Sequence, residues 1–164
     1  MEHTDKDTIA VLNDLIATCK DGMNGFESAA NAVETPAAKM LFTSRVASIE
    51  QSMSDLQDAV LTLGGEPAET GHAAASLHRG WVNMTAALSG NDEHEIVEET
   101  LRGEETAVAH YHEALQTPLP DSVRFLVERQ LLGAVQNVAA VRALLMGPAS
   151  PPSARAASSF DVRP

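Results

Sequence analysis

The chain has 164 residues, and eleven Lys and Arg against 23 Asp and Glu give it a formal net charge of −12 and a pI near 4.7. This length is typical of one domain with one core, and the negative charge disfavours nucleic acid and anionic membranes as partners. Aromatic residues make up only 4%, and the apolar content is mostly Ala, Leu, Val and Met, a composition that favours helices.

The first predicted helix repeats apolar residues at steps of three and four, which places a stripe on one face. Thr4 or Asp5 is its predicted N-cap. The single cysteine, Cys19, falls in the stripe, so we expect a buried residue and not a reactive thiol. Gly22 and Gly25 predict either close packing or a local bulge. The stripe consists of Ile9, Leu12, Ile16, Cys19, Met23, Phe26, Ala30 and Val33.

A second helix is predicted to begin at Thr35 and Pro36, a capping residue followed by proline at the first helical position. Gly64, Gly65 and Pro67 end it. Because the connection to the first helix is short, the two helices should form an antiparallel hairpin. The apolar stripe of this helix is Phe42, Val46, Ile49, Met53, Leu56, Val60 and Leu63.

After a connection at residues 64–71, a short helix is predicted around Trp81, and it ends at Ser89 and Gly90. Asn91 or Asp92 caps the next helix, which ends before the run from Thr117 to Pro120. Asp121 or Ser122 starts the last helix, so the last two helices form a second hairpin. The apolar positions of these three helices are Leu77, Trp81, Met84 and Leu88, then Val97, Leu101, Val108, Tyr111 and Leu115, then Val127, Leu131, Ala134, Val138, Val141 and Leu145.

Residues 147–164 are rich in Pro, Ser and Ala and have no apolar period, which predicts a disordered tail. Residues 1–146 form the predicted domain. Its fold class is all-α, an antiparallel four-helix bundle with one extra short helix before the second hairpin, because no strand pattern occurs in the sequence.

Five short motifs occur in order: Leu12-Asn13-Asp14-Leu15-Ile16, Cys19-Lys20-Asp21-Gly22 with Gly25-Phe26, Leu63-Gly64-Gly65, Leu77-His78-Arg79-Gly80-Trp81, and Arg102-Gly103-Glu104-Glu105 with Tyr111. Together they resemble a bacterial family of uncharacterised four-helix-bundle proteins of the ferritin-like superfamily, from about Ile9 to Leu145. The resemblance implies a ferritin-like bundle and no particular activity. Family members often carry a His-Asp pair in the last helix, where this chain has Val138 and Ala139, so a metal or polar network built on that histidine is in doubt.

Glu104 is the most informative polar residue, because it occupies the step between Leu101 and Val108 that belongs to the apolar stripe. A buried carboxylate is costly unless it is paired or hydrogen-bonded. We interpret it as a structural residue bonded to a neighbouring Tyr, Arg, His or backbone group. The alternative interpretation is one ligand of a reduced metal site.

Ferritin-like di-iron sites use a Glu from each of two helices and a Glu-x-x-His pair from each of the other two. The one such pair here, Glu69 to His72, lies in the Gly and Pro-rich connection, so no cofactor is predicted. The alternative is a carboxylate-rich, oxidase-like protein with a reduced site for iron or another transition metal. Its candidate ligands are Glu27, Glu50, His78 and Glu104. Glu27 and Glu50 are otherwise expected at solvated helix edges, and His78 in a hydrogen bond at the short helix.

The sequence contains no Gly-x-Ser-x-Gly motif and no phosphate-binding glycine loop, so catalysis is not expected. His110 and His112 are two residues apart on one helix and are expected at the surface. No apolar run approaches the roughly 20 residues of a membrane span, and the segment Met1 to Asp5 lacks the pattern of a signal peptide. We therefore expect a cytoplasmic, non-catalytic bundle that acts through self-association as a homodimer, or through an unidentified protein partner.

Overall fold

The computed structural model describes residues 2–69, 81, 84–90 and 92–147, and all its regular elements are helices. The predicted all-helical fold is confirmed. A short helix precedes the second pair of long ones and ends at Gly90 as predicted, but among the described residues it begins at Met84, and Trp81, around which it was predicted, lies in a turn. The candidate ligand His78, the apolar residue Leu77 and the predicted tail from residue 148 onward lie outside the described residues. In chain order the helices are α1 (Glu2–Ala32), α2 (Pro36–Thr62), α3 (Met84–Gly90), α4 (Glu93–Ala114) and α5 (Asp121–Met146).

Helix α1 is longer than its sequence predicted. It begins at Glu2, so the prediction of Thr4 or Asp5 as N-cap is wrong. It remains α-helical through Gly22 and Gly25, so the predicted bulge does not form and the glycines serve close packing instead. A Cβ at Gly22 would lie 3.4 Å from Ile49 Cδ1 of α2, so α1 and α2 pack closely at this glycine.

The connection between α1 and α2 is held by a residue of α4. Thr35 is the N-cap residue and Pro36 the first residue of α2, as predicted, but the Thr35 side chain makes no capping hydrogen bond. Instead, Glu93 Oε2 accepts hydrogen bonds from the backbone N–H groups of Glu34 and Thr35, at 2.8 and 3.1 Å. The short connection makes α1 and α2 an antiparallel hairpin, and Glu93 attaches its corner to the second hairpin.

The end of α2 is a Schellman turn. Gly64 has a φ of +76°, which a residue with a Cβ rarely adopts, and the N–H of Gly65 donates to a carbonyl in the last turn of α2 at 3.0 Å. The segment that follows is attached to α1 through the Asn13 amide. That amide donates to the Glu66 carbonyl at 3.1 Å and accepts from the Ala68 N–H at 2.7 Å.

The second hairpin has the predicted boundaries. Asp92 caps α4, because its side chain accepts a hydrogen bond from the His94 N–H at 2.9 Å. Helix α4 ends at Ala114 and α5 begins at Asp121. The Arg124 guanidinium donates to backbone carbonyls of the intervening segment at 3.4 Å, which holds the corner of this hairpin.

The four long helices enclose one core. Helix α1 packs on α2 and α4, helix α5 packs on the same two, and α3 lies against α1 and α4. Among the four pairs of long helices that pack together, α2 and α5 are in the least extensive contact. The largest apolar side chains of the core with almost no exposed surface are Leu12, Leu15, Phe26, Val33, Phe42, Leu56, Val60, Ile96, Val127 and Val141.

The surfaces of the second hairpin's two helices differ in charge. Helix α4 carries seven glutamates and one arginine, whereas α5 carries three arginines and only two carboxylates. The negative charge is therefore unevenly distributed in this hairpin, and α5 is the less acidic of its two helices. Within the described ranges, no helix combines the length and the apolar character that a membrane span needs.

Candidate functional site

A buried ion pair lies at the centre of the core. Arg45 Nη2 of α2 lies 2.5 Å from Glu104 Oε1 of α4, and the two side chains are 9% and 1% exposed. Burial raises the pKa of the Glu104 carboxyl, while the charge and hydrogen bond of Arg45 pull it down, and the net direction is upward. The predicted burial of Glu104 beside a bonding partner is confirmed, and the partner is an arginine.

Arg45 was missed by the sequence analysis, which assigned the stripe of α2 to Phe42, Val46 and Ile49. The buried positions are Phe42, Arg45 and Ile49, also at steps of three and four, and Val46 is only half-buried. The signal was present in the spacing. The prediction placed the neighbouring Val46 in the buried stripe because valine is apolar. A single buried arginine is unfavourable unless a carboxylate from another part of the chain compensates its charge.

A chain of hydrogen bonds beside this pair links all four long helices. Tyr111 Oη of α4 donates to Gln130 Oε1 of α5 at 3.0 Å, and Gln130 Nε2 donates to the Ser52 carbonyl of α2 at 3.0 Å. Because the Tyr111 proton is used on Gln130, the Cys19 thiol of α1 is the donor in its 3.5 Å contact with Tyr111 Oη. The chain orients each helix about its own axis relative to the others.

The same surroundings make Cys19 and Tyr111 weak acids. Burial raises the pKa of the Cys19 thiol to about 11 and the pKa of the Tyr111 phenol well above its ordinary value of 10.0. Both groups are therefore neutral near pH 7. The prediction that Cys19 is buried is confirmed.

An open groove runs between α2 and α5 and reaches the edge of this polar core. Its volume is about 610 Å³, which lies within the range of small-molecule sites. Small residues such as Ser44, Ser48 and Gly133 line it, and Arg45, Gln130 and Asn137 form its floor. At one end, Arg129 donates to Asp55 at 2.9 Å.

Gln130 and Asn137 were also missed in the sequence. They occupy buried steps of α5 between Val127, Ala134 and Val141, where the predicted stripe named Leu131 and Val138. Val138 is buried as predicted, whereas Leu131 is half-buried. As in α2, the predicted spacing of three and four residues is correct, but two of the buried positions hold the polar residues Gln130 and Asn137.

The candidate metal ligands do not meet in the described structure. Glu27 of α1 and Glu50 of α2 are exposed, whereas Glu104 is buried against Arg45. The remaining candidate, His78, lies outside the described residues. Among those that are described, no three His, Cys, Asp or Glu side chains are grouped so that they could hold a metal ion.

His110 is not the surface residue that the sequence predicted. It is half-buried, and its Nδ1 lies 3.0 Å from Thr18 Oγ1 of α1. Since the Thr18 hydroxyl proton goes to the Asp14 carbonyl at 3.0 Å, His110 Nδ1 carries the proton and donates to Thr18. Burial lowers the pKa of His110. His112 is exposed, as expected.

Trp81 packs into a notch made by two glycines on different helices. A Cβ at Gly25 of α1 would lie 2.2 Å from the indole ring, and a Cβ at Gly103 of α4 would lie 2.3 Å from it. The indole also contacts Phe26 edge to face, with ring centroids 5.2 Å apart. Four residues of the sequence motifs thus form one packing unit, and at positions 25 and 103 only glycine leaves room for the ring.

Comparison with known families matches residues 7–117 to the domain of unknown function DUF2383. The chain belongs to this family. The DUF2383 range contains Arg45, Trp81, Gly103 and Glu104, and it ends before α5, which contributes Gln130 and Asn137. No curated protein matches the chain. Since DUF2383 has no described activity, the function has to be argued from the surfaces and the polar core.

Proposed function

We propose that this protein is a non-catalytic, ferritin-like helical bundle of the cytoplasm that acts by associating with a second copy of itself. The observation that carries the proposal is an apolar stripe on the solvent side of α5. Phe125, Leu132, Ala139 and Met146 follow one another at intervals of seven and are all exposed, and Val135 lies exposed beside them. We call these residues the outer stripe.

A seven-residue period on an exposed helix face is the pattern by which two helices pack together along their length. The buried face of α5 already uses other positions, among them Val123, Val127 and Val141. The outer stripe is therefore a second apolar face on the same helix. Large exposed apolar patches on soluble proteins usually mark interaction sites.

Charge favours a second copy as the occupant. Glu128 and Arg142 each lie seven residues from Val135, on opposite sides of it along the helix, and both are exposed. If two α5 helices pack antiparallel about a two-fold axis at Val135, Glu128 faces Arg142 of the partner subunit, and the reciprocal pair forms as well. The low acidity of α5 also reduces the repulsion between two chains of net charge −12.

Sedimentation equilibrium over a range of concentrations tests the proposal. The wild type should be a dimer, and Leu132→Glu should make it monomeric, because the variant places a carboxylate in the centre of the outer stripe. Leu61→Glu is the matched control. Leu61 is a leucine of α2 with 58% exposure, against 57% for Leu132, and it lies outside the stripe, so this variant should remain dimeric.

A monomeric wild type, or equal dissociation of both variants, would remove the support for the outer stripe as an interface. Circular dichroism accompanies the measurement. Both substitutions replace exposed side chains, so helical content should be unchanged and the loss of the dimer cannot be attributed to unfolding.

A further inference from the structure

Among the residues that the structure describes, two methionine side chains are largely exposed to solvent. Met146 is 86% exposed at the end of α5, and Met40 is 73% exposed on α2, whereas Met23 and Met53 are half-buried. A thioether that solvent reaches is open to oxidation to the sulfoxide, which turns a flexible apolar side chain into a polar one. The surroundings of each methionine decide what such a change would do.

The two exposed methionines differ in their surroundings. Met146 occupies the last heptad position of the outer stripe, seven residues after Ala139. Met40 lies on α2, outside the outer stripe, and the exposed residues one turn further along its helix, Thr43 and Ser44, are polar. The same chemical change would therefore fall on the proposed interface at Met146 and on ordinary surface at Met40.

The two-fold packing of α5 gives Met146 an aromatic neighbour. Met146 lies eleven residues after Val135, and Phe125 lies ten residues before it. With an antiparallel two-fold axis at Val135, Met146 of one copy is therefore within one residue, about 1.5 Å along the helix, of the level of Phe125 of the partner subunit. Contacts between a thioether sulfur and an aromatic ring are favourable. The symmetry forms this contact twice, once at each end of the helix pair.

We propose that Met146 is an oxidation site that regulates self-association, because conversion of its thioether to the sulfoxide by a peroxide weakens the dimer. The inference rests on the proposed packing through the outer stripe. A lone pair of the sulfur attacks one oxygen of hydrogen peroxide, and the S–O bond forms as the O–O bond breaks. The hydroxide that leaves takes the remaining proton and becomes water, so the sulfur loses the two electrons that the peroxide gains. The polar S=O group then lies against the ring of Phe125 of the partner subunit, which offers it no hydrogen bond.

Sedimentation equilibrium of the full chain before and after hydrogen peroxide tests the site, and mass spectrometry identifies which methionines carry the added oxygen. The protein is treated near its dissociation constant, where free monomers expose Met146. The dissociation constant of the wild type should rise at least about tenfold, because two polar groups lose hydrogen bonds to water in the interface. Cys19 should not react, since it is buried and the pKa of its thiol is raised to about 11.

Met146→Leu keeps an apolar side chain that peroxide does not oxidise, so this variant should remain dimeric after treatment. Met40→Leu is the matched control, because it removes the other exposed thioether, and it should respond to peroxide like the wild type. Met146→Gln places a polar group at the same position without an oxidant and should weaken the untreated dimer. Met146 is exposed, so circular dichroism should show unchanged helical content in both of its variants.

The outcomes separate this inference from the proposed function. A wild type that is monomeric before treatment overturns both. A dimer that persists although Met146 carries the added oxygen overturns the oxidation site alone. The same holds if peroxide weakens Met146→Leu as much as the wild type, or if Met146 remains unoxidised while Met40 has reacted.

Discussion

Arg45 and Glu104 meet across the core from α2 and α4, two helices that do not pack side by side, with Arg45 Nη2 2.5 Å from Glu104 Oε1. The ion pair therefore lies at the centre of the core, between the four long helices. Both groups are almost completely buried, so each one depends on the other for compensation of its charge. This relationship makes the stability of the whole bundle sensitive to either residue.

Arg45→Met should destabilise the protein by about 3 to 5 kcal/mol, because it leaves the Glu104 carboxylate buried without its partner. Adding Glu104→Gln to this variant should recover most of the loss, since no buried charge then remains. Urea unfolding of the two single variants and the double variant completes a double-mutant cycle. Additive losses in that cycle would contradict the direct coupling.

The single variant Glu104→Gln should keep the fold, because glutamine has the same size and retains an acceptor for Arg45. Glu104 has a folded-state pKa raised above 4.5, so the native protein binds more protons than the unfolded chain as pH rises from about 4.5 toward the folded pKa. Stability from this group is complete below 4.5 and is lost through that window. The free energy of unfolding of the wild type minus that of Glu104→Gln should therefore fall as pH rises. A difference that rises with pH would show that the ion pair outweighs burial.

Gly103→Ala should displace Trp81, because the new Cβ would lie 2.3 Å from the indole. Trp81 is the single tryptophan of the chain, so its fluorescence should shift to longer wavelength as the ring leaves the notch. Gly133→Ala is the control. Its Cβ meets nothing nearer than 3.9 Å, and it should stabilise α5 by about 0.5 to 1 kcal/mol. An unchanged emission maximum in Gly103→Ala would refute the packing of Trp81 against α4.

Cys19 should react very slowly with thiol reagents in the native state, because the side chain is buried and its pKa is raised to about 11. At pH 8 only about one thiol in a thousand would be ionised, even with free access. The variant Cys19→Ser/Met40→Cys carries its cysteine at an exposed position of α2 and provides the reference rate. A native rate for Cys19 near that of the exposed cysteine would overturn its burial.

The proposed two-fold packing of α5 predicts the effect of charge reversal. Glu128→Arg alone should weaken the dimer, because it places an arginine opposite Arg142 of the partner subunit. Adding Arg142→Glu should restore the association, although this residue also pairs with Glu105 within its own chain at 2.5 Å. Analytical ultracentrifugation measures the dissociation constants. Equal weakening by the single and double variants would rule out the antiparallel pairing about Val135.

The candidate site was only partly predictable from sequence. Glu104 stood out because a carboxylate in an apolar stripe is expensive and must have a partner. Arg45, Gln130 and Asn137 occupy equally regular steps, but each has a more apolar neighbour one position away that fits the period nearly as well. Rotating the helix about its axis by one residue position would bury the apolar neighbour in place of the polar residue. Only contacts with the other helices determine that rotation.

What the sequence determined by itself is local. The helix boundaries at Pro36, Gly64 and Asp92 are set by hydrogen bonds and backbone angles within about one helical turn, and such signals placed the two hairpins correctly. The tertiary structure decided which residues meet. Cys19 and Tyr111 are 92 positions apart, and the Trp81 ring needs glycines from two helices. Such contacts depend on the rotation and register of packed helices, which many residues set jointly and which no local pattern encodes.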